Sequence, residues 1–124
     1  MPDFFQAVRV IVGLGLGAWL TSGVAFAGDA KQFFGEAAYY SDDYKGVTAS
    51  GVQYDPLKFT CAHRTLPFGT KLRVTDLQTE RSVVVVVNDR GPFNKSRVLD
   101  LSKAAAKALD MTGRGLIKVT AAVE

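Results

Sequence analysis

Asp89 stands just beyond a run of five valines, Val83 to Val87, and is followed by Arg90-Gly91-Pro92-Phe93. A carboxylate at the rim of an apolar strand, on a turn stiffened by glycine and proline, is well placed to act as a catalytic acid. The same residue types also serve a plainer purpose, because an Asp in a turn caps local N–H groups. Cys61 and His63 lie two positions apart, so on a shared strand they project from one face. That spacing admits a Cys–His nucleophile pair, whereas a free cysteine ordinarily packs as a small apolar side chain. Cys61 is the only cysteine, so an internal disulfide is ruled out and the domain has to be held by its core.

Such residues need strands to carry them, and the chain reads as a series of short ones. The valine run is too short for a membrane span and predicts a strand buried on both faces. Gly35 to Tyr40 predicts a short first strand, and Ser41 to Gly51, rich in Asp, Gly and Ser, a loop. Phe59 to His63 reads as a second strand and Leu66-Pro67-Phe68-Gly69 as a turn. Thr70 to Thr75 alternates polar and apolar residues, and Leu77 to Glu80 joins it to the valine strand as a hairpin. Val98-Leu99-Asp100 ends another strand. Leu101 to Asp110 predicts a helix, with Asp100 or Ser102 capping its start and Gly113 following its end. Gly115 to Val123 alternates again, with Ile117, Val119, Ala121 and Val123 on one face. The expected fold is mainly β, a small closed barrel with one helix before the last strand, because closure removes the exposed edges.

The 124 residues suffice for one domain. The formal net charge is +3 and the pI about 9.1, but the basic residues form neither a run nor a stripe. No nucleic-acid partner is expected on that pattern; a mild basic excess suits an anionic polymer such as a bacterial cell wall. Residues 1–27 read as a signal peptide: Arg9 precedes a short apolar core, Val10 to Leu20, and Ala25-Phe26-Ala27 is an A-x-A cleavage signal. The alternative is an uncleaved anchor, for which the core is short. Cleavage leaves residues 28–34 as a linker and 35–124 as the domain. With no cysteine beside the cleavage site, the expectation is an exported protein, periplasmic or secreted, that is not a lipoprotein and has no stable membrane anchor.

Five blocks resemble one family in order: Gly35-x-Ala37-x-Tyr39-Tyr40, Thr48-Ala49-Ser50-Gly51, Ala62-His63-Arg64-Thr65-Leu66-Pro67-Phe68-Gly69-Thr70, Asn88-Asp89-Arg90-Gly91-Pro92-Phe93 and Asp100-Leu101-Ser102. Together they look like the rare lipoprotein A (RlpA-like) family of double-psi β-barrels. The resemblance implies a six-stranded double-psi β-barrel, related to expansins, that binds cell-wall glycan. It further implies an endolytic lytic transglycosylase acting on peptidoglycan strands stripped of stem peptides.

In that reaction the C6 hydroxyl of N-acetylmuramic acid attacks its own C1 and leaves a 1,6-anhydro end. The nucleophile belongs to the substrate, so one protein acid/base is sufficient, unlike the two-carboxylate arrangement of most glycoside hydrolases. No metal and no cofactor are called for, and a monomer is expected. The resemblance places Asp89, Asp55 and His63 at catalytic positions. Asp89 is then the acid, Asp55 a neighbouring charge or a stabiliser of the oxocarbenium ion, and His63 a hydrogen-bond partner of Asp89 or of a sugar hydroxyl. Tyr39, Tyr40, Tyr44 and Phe93 are expected to offer ring faces to sugars, with Thr48 and Arg90 beside them. One departure stands out. The family string Gly-Glu-x-Phe/Tyr-Asp reads Gly51-Val52-Gln53-Tyr54-Asp55 here, so a side chain that cannot titrate replaces a glutamate. Two readings are open: an enzyme, or a non-catalytic expansin-like module that only binds wall glycan.

Overall fold

The structure, a computed structural model, describes residues 32–124. The signal peptide expected at residues 1–27 lies outside the described residues. Six strands, β1 (Gln32–Tyr39), β2 (Thr60–Ala62), β3 (Lys71–Asp76), β4 (Ser82–Asp89), β5 (Arg97–Leu101) and β6 (Ile117–Val123), close into a barrel in the order β1-β5-β2-β4-β3-β6. A single short helix, α1 (Lys103–Ala108), separates β5 from β6. Two of the pairings are parallel, β1 with β5 and β2 with β4; the other four are antiparallel.

Alternation along the strands decides what fills the interior. Leu72 and Val74, Val85 and Val87, Leu99 and Leu101, and Val119 and Ala121 point inward and are fully buried or nearly so. Each fully buried Val or Leu contributes about 1.5–3 kcal/mol. Ala105 and Ala106 of α1, with Leu109 and Met111 after it, join the same core.

Three expectations need correction. The valine strand is not buried on both faces: Val85 and Val87 are buried, while Val84 and Val86 are half-buried opposite Arg73 and Lys71 of β3. In a small barrel only one face of a strand meets the core, and a homopolymeric run conceals that alternation. The first strand begins three residues before Gly35. Gln32, Phe33 and Phe34, expected in the linker, pair with Ala122, Ala121 and Thr120 of β6. The helix is shorter than predicted, since Leu101 remains in β5 and Ser102 is the cap, its hydroxyl accepting from Ala105 N–H at 3.2 Å. At the other end Asp110, not Gly113, takes the left-handed conformation, with φ of 55°.

The register at β2 brings two acidic positions together. Ala62 lies opposite Asp89 of β4 on one side and opposite Asp100 of β5 on the other. Two carboxylates therefore flank one small buried residue, their Cα atoms two strand spacings, about 10 Å, apart.

Candidate active site

Asp89 is the last residue of β4 and is half-buried. Its Oδ1 accepts hydrogen bonds from the backbone N–H of Ala49 at 2.7 Å and of Arg90 at 2.9 Å. Its Oδ2 accepts from the Tyr40 hydroxyl at 2.6 Å. The Ala49 donor is delivered by the loop 48–52. Thr48 donates its N–H and its hydroxyl to Val52 O, both at 2.8 Å, and Ser50 N–H reaches Asn88 O at 3.3 Å. Gly51 closes that loop with φ of +91°, which a side chain would oppose. The carboxylate is thus clamped by three donors from three segments and faces an open groove of about 500 Å³.

Tyr40, Tyr44, Ala49, Arg90, Phe93 and Asp100 share that groove. Phe93 is 86% exposed and Tyr44 half-buried, so both present ring surface to an incoming ligand. The Arg90 guanidinium lies 4.1 Å from the centroid of the Phe68 ring and donates to His63 O at 3.2 Å. Tyr40 differs from the other aromatics. Its ring stacks on Tyr54 at 4.4 Å and its hydroxyl is committed to Asp89. Burial first, then the hydrogen bond to Asp89 and that residue's charge, raise its pKa far above the usual phenol range, so it stays protonated as a donor. Tyr40 positions the carboxylate more than it offers a flat face.

Asp100 is the residue that sequence reasoning missed. The sequence reading gives it a place in the Asp100-Leu101-Ser102 block and as a possible helix cap, which Ser102 takes, but no place in the site; its side chain lines the groove beside Asp89. Its Oδ1 is buried and without a hydrogen bond, and so is Arg97 Nε, which faces it at 3.7 Å, too far for one. Burial raises the Asp100 pKa, the nearby Asp89 charge raises it further, and the Arg97 and Arg64 guanidiniums offset this only in part. The hint in the sequence is a lone carboxylate among apolar residues in Val98-Leu99-Asp100-Leu101. The register that sets it across Ala62 from Asp89 cannot be read there. Gly91 is favoured by its backbone, with φ of +129°, and it packs at ordinary contact distance from Asp100 Oδ2 and the Phe93 ring.

The remaining expected site residues lie apart from this groove. His63 Nδ1 accepts from the N–H groups of Thr65 and Leu66 at 3.1 and 3.0 Å, and its ring packs against Phe33. Burial, followed by the charges of Arg64 and Arg90, lowers its pKa, so the ring is neutral as an acceptor must be. Its backbone N–H bonds to Asp89 O, but its imidazole does not reach that carboxylate. Asp55 closes a turn, with Oδ1 accepting from Leu57 N–H at 2.9 Å. Tyr39 donates its hydroxyl to Thr112 O. Thr48 is buried and braces the loop that presents Ala49. Cys61 is a core residue whose thiol is pushed up to about 12 by burial and then by the Asp100 charge, which excludes a Cys–His nucleophile pair.

The pattern of a family described as lytic transglycolase matches residues 32–121. A probable endolytic peptidoglycan transglycosylase RlpA of Treponema pallidum (strain Nichols) is 41% identical over 111 residues, covering 89% of this chain and 35% of the relative. That of Nostoc sp. is 50% identical over 90 residues, covering 70% and 24%. The endolytic peptidoglycan transglycosylase RlpA of Haemophilus influenzae is 45% identical over 94 residues, covering 73% and 33%. The chain thus spans about a third or less of the length of these relatives. Among solved structures, Streptomyces papain inhibitor superposes with a TM-score of 0.62 at 26% identity, over 75% of this chain and 94% of that one. Apo expansin of Clavibacter michiganensis superposes with a TM-score of 0.59 at 23% identity, over 75% and 50%, a likeness of fold alone.

Proposed function

The chain belongs to the lytic transglycolase family, and from that premise we propose that it is an endolytic peptidoglycan lytic transglycosylase. Its substrate is glycan strand stripped of stem peptides, cut between N-acetylmuramic acid and N-acetylglucosamine to leave 1,6-anhydro ends. The observation that carries this reading is the Asp89 carboxylate, held by three hydrogen bonds at a groove edged by Tyr44 and Phe93. A carboxylate fixed as an acceptor is suited to take the proton of the attacking C6 hydroxyl. A rigid position relative to C1 supplies the orientation that an intramolecular displacement needs. Arg90, Tyr44 and Phe93 bind sugar in this reading. Tyr40 positions Asp89, and His63, Asp55 and Thr48 shape the loops around it.

A wall substrate lies outside the cytoplasmic membrane, and in this reading so does the protein. Residues 1–27 act as the export signal, residue 28 begins the mature chain, and the domain works as a periplasmic or secreted monomer. The test is incubation with peptide-stripped strands, followed by mass spectrometry of the soluble products. Anhydro-ended oligosaccharides support the reading; binding to strands with no soluble product sinks it.

Val52 favours a second reading, a module that binds wall glycan without cutting it. Its side chain is 55% exposed and only its carbonyl is engaged, with Thr48. If that reading holds, the natural chain yields no product and Val52→Glu does.

A further inference from the structure

We propose that the cavity between the loop 41–57 and α1 is a glycan subsite that takes the lactyl carboxylate of a muramic-acid unit, with Lys103 and Lys107 as its charge partners. The inference rests on the peptide-stripped substrate of the reading above and assigns the residues that recognise the stripping. On a peptide-bearing strand the lactyl carboxyl group is tied up as an amide. Removal of the peptide frees it as a carboxylate. Stripped strands therefore present a negative charge close to the sugar ring, at the place where peptide-bearing strands present a neutral amide.

The cavity has a volume of about 640 Å³ and adjoins the Asp89 groove, since Tyr44 lines both. Its wall carries three cations, Lys45 from the loop and Lys103 and Lys107 from α1, against a single carboxylate, Asp42. Lys103 and Lys107 are four residues apart and so share one face of the helix. The apolar part of the wall comes from Tyr54, whose buried ring meets Tyr44 edge-on at 5.3 Å and whose hydroxyl accepts from Lys103 N–H at 3.0 Å. Leu57 adds a side chain that is 81% exposed. Ring and aliphatic surface beside paired cations suits a sugar that carries an acid group.

The fold itself holds a carboxylate at this place. Asp42 has an exposed side chain and accepts from Lys103 Nζ. The hydrogen bond and then the charge of Lys103 lower its pKa, and the Lys107 charge lowers it further. Both lysines thus stabilise negative charge here. An exposed pair is weak, so an incoming carboxylate displaces Asp42 readily and takes its position on Lys103. Lys107 is exposed, and among the described residues it forms no ion pair, which leaves it to meet the same ligand.

The test compares two fluorescently labelled glycan fragments, one with free lactyl carboxylates and one with the same groups converted to carboxamides. Binding is read by anisotropy at low temperature, with mass spectrometry afterwards to show the fragments intact. Wild type is expected to bind the carboxylate form about tenfold more tightly, and the gap should close as salt is raised. Lys103→Gln combined with Lys107→Gln should weaken the carboxylate form about tenfold and bring the two forms together. Asp42→Asn removes the competing carboxylate and should tighten the carboxylate form alone about threefold, a gain that a misfolded variant could not give. Equal binding of both forms by wild type, equal weakening of both by the lysine variant, or no gain in Asp42→Asn overturns the subsite. Anhydro product from wild type under any of those results leaves the transglycosylase reading standing. Carboxylate-dependent binding without product sinks that reading and keeps the subsite.

Discussion

Asp76 and Asp100 are both carboxylates withdrawn from water, and they are treated in opposite ways. Asp76, at the end of β3, has a side chain only 1% exposed and is paired with the Arg114 guanidinium. Its Oδ1 also accepts from Gln78 N–H at 2.9 Å, while Arg114 donates again to Leu109 O at 3.2 Å. Burial pushes its pKa up, but the Arg114 hydrogen bond, the Gln78 N–H and the guanidinium charge outweigh burial, and the net shift is downward. Asp100 keeps an unpartnered oxygen and faces another carboxylate, and its shift is upward. The two regions lie toward opposite ends of β4, since Asp76 N–H bonds to Arg81 O just before its start and Asp89 is its last residue; eight residues of strand span about 25 Å. One end of the barrel uses a buried charge to fix the chain. The other holds charge unsatisfied, as a site that must act on a ligand does.

The contrast breaks most sharply at Asp89. Asp89→Asn keeps the shape and removes the proton acceptor, so anhydro product should form on the order of 10²–10⁴-fold more slowly while glycan binding persists. Steady-state release of product and a pull-down on peptide-free strands check the two halves. Asp76→Ala should do the reverse, removing the buried acceptor of the part-exposed Arg114 guanidinium and of Gln78 N–H and costing about 2 kcal/mol of stability. In a domain this size that lowers Tm by about 8–16 °C, while rate per folded molecule is unchanged. Thermal unfolding read alongside activity at low temperature separates these outcomes.

Acid extends the comparison. Because Asp76 titrates lower in the fold than in the unfolded chain, its contribution is complete above about pH 4, the unfolded value, and disappears as pH falls through the lower folded value. Asp100 runs the other way: its raised folded pKa means that stability is lost as pH rises through it. Asp100→Asn should therefore raise the melting temperature at neutral pH, and unfolding curves at pH 4 and pH 7 check the sign. The smallest effect belongs to Tyr40→Phe. It deletes one hydrogen bond to a charged group and leaves the ring stack on Tyr54, so activity should fall about tenfold with a modest loss of stability. A Tyr40→Phe variant as damaged as Asp89→Asn would show that the phenol does more than hold the carboxylate.

The sequence made the barrel legible because alternation in β3 and β6 survives in the residue pattern, and because Gly91-Pro92 marks where β4 stops. Valine after valine hid which face of β4 is inside, since only closure of the barrel decides it. Asp89 was legible as a carboxylate at the end of an apolar strand. Asp100 was not, because its place beside Asp89 comes from the register of both with Ala62 of β2, the strand that lies between β5 and β4. His63 and Asp55 looked catalytic by type and position, yet His63 Nδ1 accepts from Thr65 and Leu66 and Asp55 Oδ1 from Leu57, contacts of the kind that residue type alone does not reveal. Tyr40 was legible as an aromatic near the site, but its stacking under Tyr54 and its bond to Asp89 depend on a loop that sequence leaves free.

The central claim, that a hydroxyl of the substrate and not water attacks the sugar at the Asp89 groove, is tested most directly by digesting peptide-free strands in water enriched in heavy oxygen and weighing the products. Anhydro-ended fragments carrying no label are predicted. Fragments with a labelled reducing end would mean that water is the nucleophile, and would contradict the account.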